Sequence, residues 1–277
     1  MKVIKTLPEI RLWRDQNSNE TIALVPTMGF LHEGHLSLIR EARKHSELIV
    51  LSIYINPTQF APGEDLEQYP RNFDRDENLC RSEGVDIVFY PSNGEMYLPE
   101  HKTYVITEEL SMRLCGQSRP KHFRGVTTVV AKLFNIVQPH VAVFGQKDAQ
   151  QAIIIQRMAT DLSYDINIVI APIVRETDGL AMSSRNKYLN TKQRTEAVVL
   201  RQSLQLAQGE FKNSNSNLND IKEQMKKLIT ENSSAKIDYI EFTDAISLGS
   251  PKPGKGKILV ALAAWFNETR LIDNIVL

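Results

Sequence analysis

Through the first 172 residues, short apolar runs alternate with stretches of helical period, and this narrows the possible folds more than any other feature. TIALV (21–25) reads as a buried strand closed by Pro26. HLSLIREARKHS (35–46) reads as a helix, with Leu36, Ile39 and Ala42 on one face and charges on the other. ELIVLSIYI (47–55) is the next strand, cut off by Asn56-Pro57. This is a βαβ unit, whose right-handed connection makes the two strands parallel. The pattern repeats. FDRDENLCRSEG (73–84) is a helix stopping at Gly84, and VDIVFYP (85–91) is a strand. GVTTVVAKLFNIVQ (125–138) is a helix stopped by Pro139, followed by the strand VAVFG (141–145). DAQQAIIIQRMATDL (148–162) and INIVIAP (166–172) form the last helix–strand pair. Strands this uniformly apolar need cover on both faces, as in a doubly wound α/β sheet.

After Pro172 the composition changes. The polar loop RETDGLAMSSRN leads into a long helix expected from about Thr191 to Phe211. KNSNSNLND (212–220) reads as a polar turn region, followed by a helix over 220–230. KIDYIEFTD, KILVALAAWF and TRLIDNIVL then alternate as strands. SPKPGKGK (250–257) reads as a solvated turn. The expected organisation is a Rossmann-like α/β domain over 1–173 and a smaller α+β domain over 174–277.

Lys plus Arg and Asp plus Glu both number 33, so the formal net charge is zero and no basic excess points to nucleic acid. Cys80 and Cys115 lie far apart and form no CxxC pair, which favours reduced thiols over a disulfide or metal site. No apolar run reaches the roughly 20 residues of a membrane helix. MKVIKTLPEIRLWRDQ turns polar too soon for a signal peptide. A soluble cytoplasmic protein without a membrane partner is the expectation.

Ligands of open parallel sheets bind beyond the carboxyl ends of the strands, and four unusual segments follow strands at that edge. In PTMGFLHEGH, Gly29 and Gly34 allow close backbone approach, and His32 and His35 flank a helix start suited to an anion. The pair lacks the further ligands a metal site needs. In FGQKDAQQ, Lys147 is a point charge for a phosphate and Asp148 a candidate N-cap. MSSRN brings Ser183, Ser184 and Arg185, groups suited to a polyphosphate. Asn56, Gln59 and Gln151 are neutral amides, fit for hydroxyls and a carboxylate and poor as a phosphate grip. Each segment has an ordinary alternative, as a capped helix or a solvated loop; the set of four is what points to a site. Together they describe ATP beside a pocket for a small hydroxylated acid.

PTMGFLHEGH, NPTQF, HFRGVTTVV, FGQKDAQQ and MSSRN, in that order, resemble the pantoate–β-alanine ligase family over nearly the whole chain. HEGH is similar to the His-Ile-Gly-His signature of the wider HxGH nucleotidyltransferase superfamily, and MSSR stands in the place of its Lys-Met-Ser-Lys-Ser loop. The resemblance implies a ligase of pantothenate biosynthesis, on the coenzyme A pathway. Pantoate attacks the α-phosphate of ATP to give pantoyl adenylate and pyrophosphate; β-alanine then displaces AMP. It also implies Mg2+ with the ATP and a cytoplasmic homodimer. Matched residue by residue, Met28, Gly29, Phe30, Leu31, His32, Glu33, Gly34 and His35 are the first ATP segment. Gly145, Gln146, Lys147 and Asp148 are the second; Val174 is a backbone contact to adenine, and Met182, Ser183, Ser184 and Arg185 are the phosphate loop. Gln59 and Gln151 match the pantoate-binding glutamines, Gln59 also lying near β-alanine. His35, His32, Lys147 and Arg185 are the expected catalytic set.

The family assigns His35 as a proton donor. Forming an acyl adenylate from a carboxylate requires no proton on the nucleophile, so His35 is read as a hydrogen-bond donor to the phosphates. Gln146 stands where many relatives carry Glu, and Met182 where many carry Leu; both are flanking positions. Asp74 and Asp76 read as a solvated helix start rather than magnesium ligands, and the metal ligands are unknown. The 174–277 domain is expected to act as a lid, with Gly179 supplying backbone freedom. The main alternative is an adenylyltransferase passing AMP to a small phosphorylated acceptor, whose pocket would carry guanidiniums. A class I aminoacyl-tRNA synthetase needs greater length and a basic face. A nucleotide-sensing module has no use for Lys147, Arg185 and both glutamines together.

Overall fold

The computed structural model describes residues 1–212, 217–252, 254 and 256–277. Positions 213–216 of the expected polar turn, and 253 and 255 of the 250–257 loop, lie outside the described residues. In chain order the elements begin β1 (Lys2–Ile4), α1 (Leu7–Gln16), β2 (Ile22–Thr27), α2 (Glu33–Arg43), β3 (Leu48–Ile53) and α3 (Phe73–Ser82). They continue with β4 (Ile87–Phe89), α4 (Asn93–Met96), α5 (Cys115–Ser118), α6 (His122–Val137), β5 (Val141–Gly145), α7 (Ala149–Asp161) and β6 (Asn167–Ala171). Last come α8 (Thr191–Glu196), α9 (Val199–Lys212), α10 (Leu218–Asn232), β7 (Lys236–Asp244), β8 (Ile258–Phe266) and β9 (Thr269–Val276).

The chain clusters into two compact units: 1–112 with 116–145 and 154–172, and 113–115 with 146–153 and 173–277. In the first, six strands form a parallel sheet in the order β1-β4-β3-β2-β5-β6. The order runs outward from β2 in both directions, so the switch point lies between β2 and β5. The period of 2 sorts β2 cleanly. Ile22 and Leu24 join a core with α1, α6 and α7, while Ala23 and Val25 join one with α2. In the second unit, β7-β8-β9 form an antiparallel sheet sharing a core with α9 and α10. Both cysteines are buried and neither is in a disulfide.

Three details differ from the sequence expectation. β1 is an added three-residue strand, paired with β4, with Ile4 in the core. Pro26 lies inside β2 rather than ending it. The Thr27 carbonyl accepts the Tyr54 N–H (3.0 Å), so position 26 faces β5, whose pairing with β2 has ended at Leu24. No ladder bond is therefore lost at the proline. The helix expected over 191–211 is two helices, α8 and α9. Ala197 N–H still donates to Gln193, but Leu200 N–H donates to Ala197, a tightened turn at the junction. Residues Gln146–Asp148 form a 3-10 turn, and α7 starts directly after Asp148.

Helix α6 approaches the 3-10 turn Pro57–Gln59 closely enough to exclude a side chain. A Cβ on Gly125 would stand 2.5 Å from the Thr58 carbonyl oxygen and 2.6 Å from Gln59 Cα and N. These are backbone atoms that cannot swing aside. Gly125→Ala is expected to cost about 1–3 kcal/mol, the usual penalty of overpacking. Urea unfolding monitored by circular dichroism measures it; an unchanged midpoint would mean that the helix shifts freely.

Candidate active site

Beyond β2 the chain enters the left-handed region twice, at Gly29 (φ 83) and Phe30 (φ 52). For phenylalanine this conformation is strained, and something must hold it. Two groups of α3 do so. The Asp76 carboxylate accepts the N–H of Phe30 (2.6 Å) and of Leu31 (2.8 Å). Arg75 donates to the Leu31 carbonyl (2.7 Å), and its guanidinium lies 5.4 Å from the Phe30 ring centroid. A Cβ at Gly29 would sit 2.9 Å from Ile53 Cγ2 and 3.1 Å from Asp76 Oδ2, so glycine is required there on both counts.

This corrects the reading of Asp74 and Asp76 as a solvated pair. Asp74 is exposed, but Asp76 is 1% exposed and serves as the anchor of the 28–31 segment. Burial pushes its carboxyl above the ordinary aspartate value, and the two N–H groups with Arg75 only partly offset that. Sequence reasoning missed Asp76 because nothing local separates it from its polar neighbours.

The anchored segment delivers His32 to the N-cap of α2, where extended backbone (φ −138, ψ 174) turns into helix. His35 is therefore in the first turn rather than at the helix start expected from sequence. Its ring lies 4.0 Å from that of His32, centroid to centroid. The His32 N–H donates to His35 Nδ1 (3.2 Å). A neutral ring accepting at Nδ1 carries its proton on Nε2, so His35 presents an N–H donor there. Glu33 and Gly34 complete the first turn, the helix end whose dipole favours anions.

Gln59 is fixed beside this segment. Its Nε2 donates to Met28 Sδ (3.1 Å), and its Oε1 accepts from Asn56 Nδ2 (3.2 Å). Asn56 itself is fully buried. Its amide also donates to the Gly125 carbonyl (3.1 Å), and its Oδ1 accepts from the Thr58 hydroxyl (2.9 Å). Asn56 thus acts on Gln59 rather than facing outward. From α6 and the turn before it, His122 Nδ1 (2.9 Å) and Arg119 (3.3 Å) donate to the Gln59 carbonyl. Arg119 also makes a two-pronged pair with Glu64 (2.5 and 2.8 Å). Burial works to raise the Glu64 carboxyl; Arg119 overcomes it, leaving the group below its ordinary value. The HFRG stretch therefore serves NPTQF.

Gly145 ends β5, and the remaining expected residues belong to the second compact unit. Lys147 is half-buried, 3.8 Å from the Asp148 carboxylate. Gln151 is half-buried in the first turn of α7, while its neighbour Gln150 is buried and ties Cys115 N–H (3.0 Å) to the Arg113 carbonyl (2.6 Å). Residues 174–182 form a small hairpin. Met182 N–H donates to Val174 (3.0 Å), Arg175 bridges Ala181, and Glu176 N–H donates to Leu180 (2.8 Å). Gly179 (φ 96) closes its turn, its N–H donating to the Glu176 carbonyl (2.9 Å). Arg194 pairs with both Glu176 and Asp178 at 2.6 Å. Ser183 then caps the 3-10 turn Ser184–Tyr188, accepting the Arg185 N–H (3.2 Å).

Fold and site describe an α/β protein with two histidines at the start of a helix and a neutral amide beside the segment that leads into it. The family described as pantoate-beta-alanine ligase matches residues 2–276, and the chain belongs to that family. Pantothenate synthetase of Thermotoga petrophila is 50% identical over 279 residues, covering 100% of both chains. Pantothenate synthetase of Thermus thermophilus superposes with a TM-score of 0.94 at 38% identity, covering 99% of each chain. Pantoate-beta-alanine ligase of Francisella tularensis, solved with beta-gamma ATP and β-alanine, superposes at 0.82 with 30% identity, covering 100% of this chain and 97% of that one.

Asp76→Asn keeps the shape but turns an NH2 toward one of two backbone N–H groups. It should cost about 1–3 kcal/mol in urea unfolding. A carboxyl titrating above 3.8 contributes fully below that value, and the contribution is lost as pH rises through the folded value. The deficit of the variant should therefore be larger near pH 3.8 than at neutrality. An equal deficit at both would place its cost outside this titration.

Proposed function

We propose that the chain uses ATP to condense (R)-pantoate with β-alanine, through pantoyl adenylate, releasing pyrophosphate and AMP. The observation that carries this reading is Gln59, an acceptor-side amide whose Nε2 touches Met28 at the head of the histidine segment. The guanidinium that reaches Gln59, that of Arg119, is engaged with Glu64, which disfavours a phosphorylated acceptor. Family membership and the ligand-bound Francisella relative support the same substrates.

In this reading the α2 N-terminus and the His35 Nε2–H donate to phosphate oxygens as pyrophosphate leaves. Lys147 supplies a point charge; Ser183, Ser184 and Arg185 hold the departing phosphates. Gln59 and Gln151 orient pantoate so that its carboxylate oxygen meets the α-phosphorus, and positioning does most of the work. Once the adenylate has formed, the amine of β-alanine attacks its acyl carbon and AMP departs. Among the described residues no group of three or more His, Cys, Asp and Glu is placed to hold a metal ion, and both Asp76 oxygens accept backbone N–H groups. Mg2+ belongs in this proposal as part of the ATP complex, and no step is routed through a protein-held ion. A lid role for 174–277, a homodimer and a cytoplasmic setting on the route to coenzyme A are parts of the same proposal. No helix among the described residues is long and apolar enough to cross a membrane.

With β-alanine absent, pantoate should stimulate exchange of label between pyrophosphate and ATP; failure to stimulate would refute the adenylate. Lys147→Ala should slow this exchange by about 10²-fold, the scale of losing one charge-stabilising donor. Gln59→Ala should weaken pantoate use by roughly 1–3 kcal/mol, with a smaller effect on ATP. Steady-state kinetics with each substrate varied separates the two; an equal effect on ATP would move Gln59 to the nucleotide.

A further inference from the structure

Strand β9 breaks its own alternation. Asp273 and Asn274 are successive, polar and buried, 2% and 4% exposed, in a strand that otherwise alternates or is apolar. Successive strand residues face opposite ways, so both faces of β9 are occupied at this point. Asn274 Nδ2 donates to the carbonyls of Gln146 (2.9 Å) and Lys147 (3.0 Å), and its Oδ1 accepts from Gln146 Nε2 (3.4 Å). Asp273 accepts both prongs of Arg175 (2.7 and 2.9 Å) and the Asn274 N–H (2.8 Å). Arg175 in turn donates to the Gly179 carbonyl (3.0 Å), tying the two arms of the hairpin that ends at Met182.

Two segments far apart in sequence, 146–148 and 174–182, are thus tied to adjacent residues of one strand. An asparagine amide is well suited to bridging two successive carbonyls, since its NH2 has two donors and no charge to desolvate. The peptide carbonyls it holds flank the Cα of Lys147, so they set where that side chain begins. The fork of Arg175 on Asp273 fixes orientation as well as position.

We propose that Asp273 and Asn274 are positioning residues for adenylation, a single strap that sets Lys147 and the Met182–Arg185 loop together. This rests on the reading that both segments grip the phosphates of ATP. The strap touches no group assigned to β-alanine, so it acts on the first half-reaction only.

Two variants test it without leaving a buried charge unpaired. Asn274→Ala removes the bridge to 146–147; Arg175→Lys keeps the charge opposite Asp273 but loses the fork. Each should raise the Kd of ATP, read by calorimetry, and the ATP KM. Each should slow pantoate-dependent pyrophosphate exchange by about 10-fold to 10²-fold, the scale of a displaced catalytic group. The β-alanine KM and the aminolysis of supplied pantoyl adenylate should stay at wild-type values, as should the circular dichroism spectrum. The double variant should lose less than the product of the single losses, because both arms position one ligand. Unchanged ATP Kd and exchange in folded variants would overturn the inference. So would equal loss of both half-reactions in step with a falling Tm, which would make the pair ordinary packing. A wild type that binds ATP but shows no pantoate-dependent exchange would instead refute the proposed function, with the ATP Kd values still deciding the strap.

Discussion

The buried carboxylate of Asp76 is the contact on which the first half of the site depends. The chain leaves β2 through two left-handed residues, one of them phenylalanine, and that path is costly without a partner for the exposed N–H groups. Asp76 supplies the partner for both Phe30 and Leu31. The histidine-capped start of α2 follows directly from it, since Leu31 leads into His32 with no residue between. Where other folds let such a turn hold a ligand anion, this one fills it with its own carboxylate, and the place proposed for an anion is the helix end a few residues on.

Gln59 follows the same logic from the other side. Its amide is the chemically informative group, yet most of the surrounding structure acts on its backbone. Asn56, Gly125, Arg119 and His122 each hold or abut residues 58–59. A neutral amide binds a hydroxyl or carboxylate weakly unless it is already in place, so its value depends on this support. NPTQF and HFRG therefore form one structural device, although His122 lies 63 positions beyond Gln59.

The parallel sheet was legible in the sequence because its signals are local. Apolar runs such as VAVFG and helical stretches such as GVTTVVAKLFNIVQ carry their period within a dozen residues. The segment after β2 stood out in the sequence because glycine and histidine are unusual immediately after a strand. What escaped was whatever depends on distant partners. β1 is too short to show a period, and its partner, β4, is distant in sequence. Asp76 looks like any acid in a polar helix until the 28–31 turn folds onto it. The LIDNIVL segment did carry a signal, two adjacent polar residues in an apolar strand, but its meaning needed Gln146, Lys147 and Arg175 beside it. The hairpin at 174–182 read as a loose loop because its pins, Arg194 and Asp273, lie outside it.

The central claim is that the acceptor is a free carboxylate and the second substrate an amine. The most direct measurement incubates the protein with ATP, magnesium, pantoate and β-alanine, and quantifies AMP and pantothenate together by mass spectrometry. The account predicts that both appear in equal amounts and that omitting either pantoate or β-alanine abolishes turnover. Steady AMP release without β-alanine, or transfer of AMP intact to a phosphorylated acceptor in place of pantoate, would contradict it.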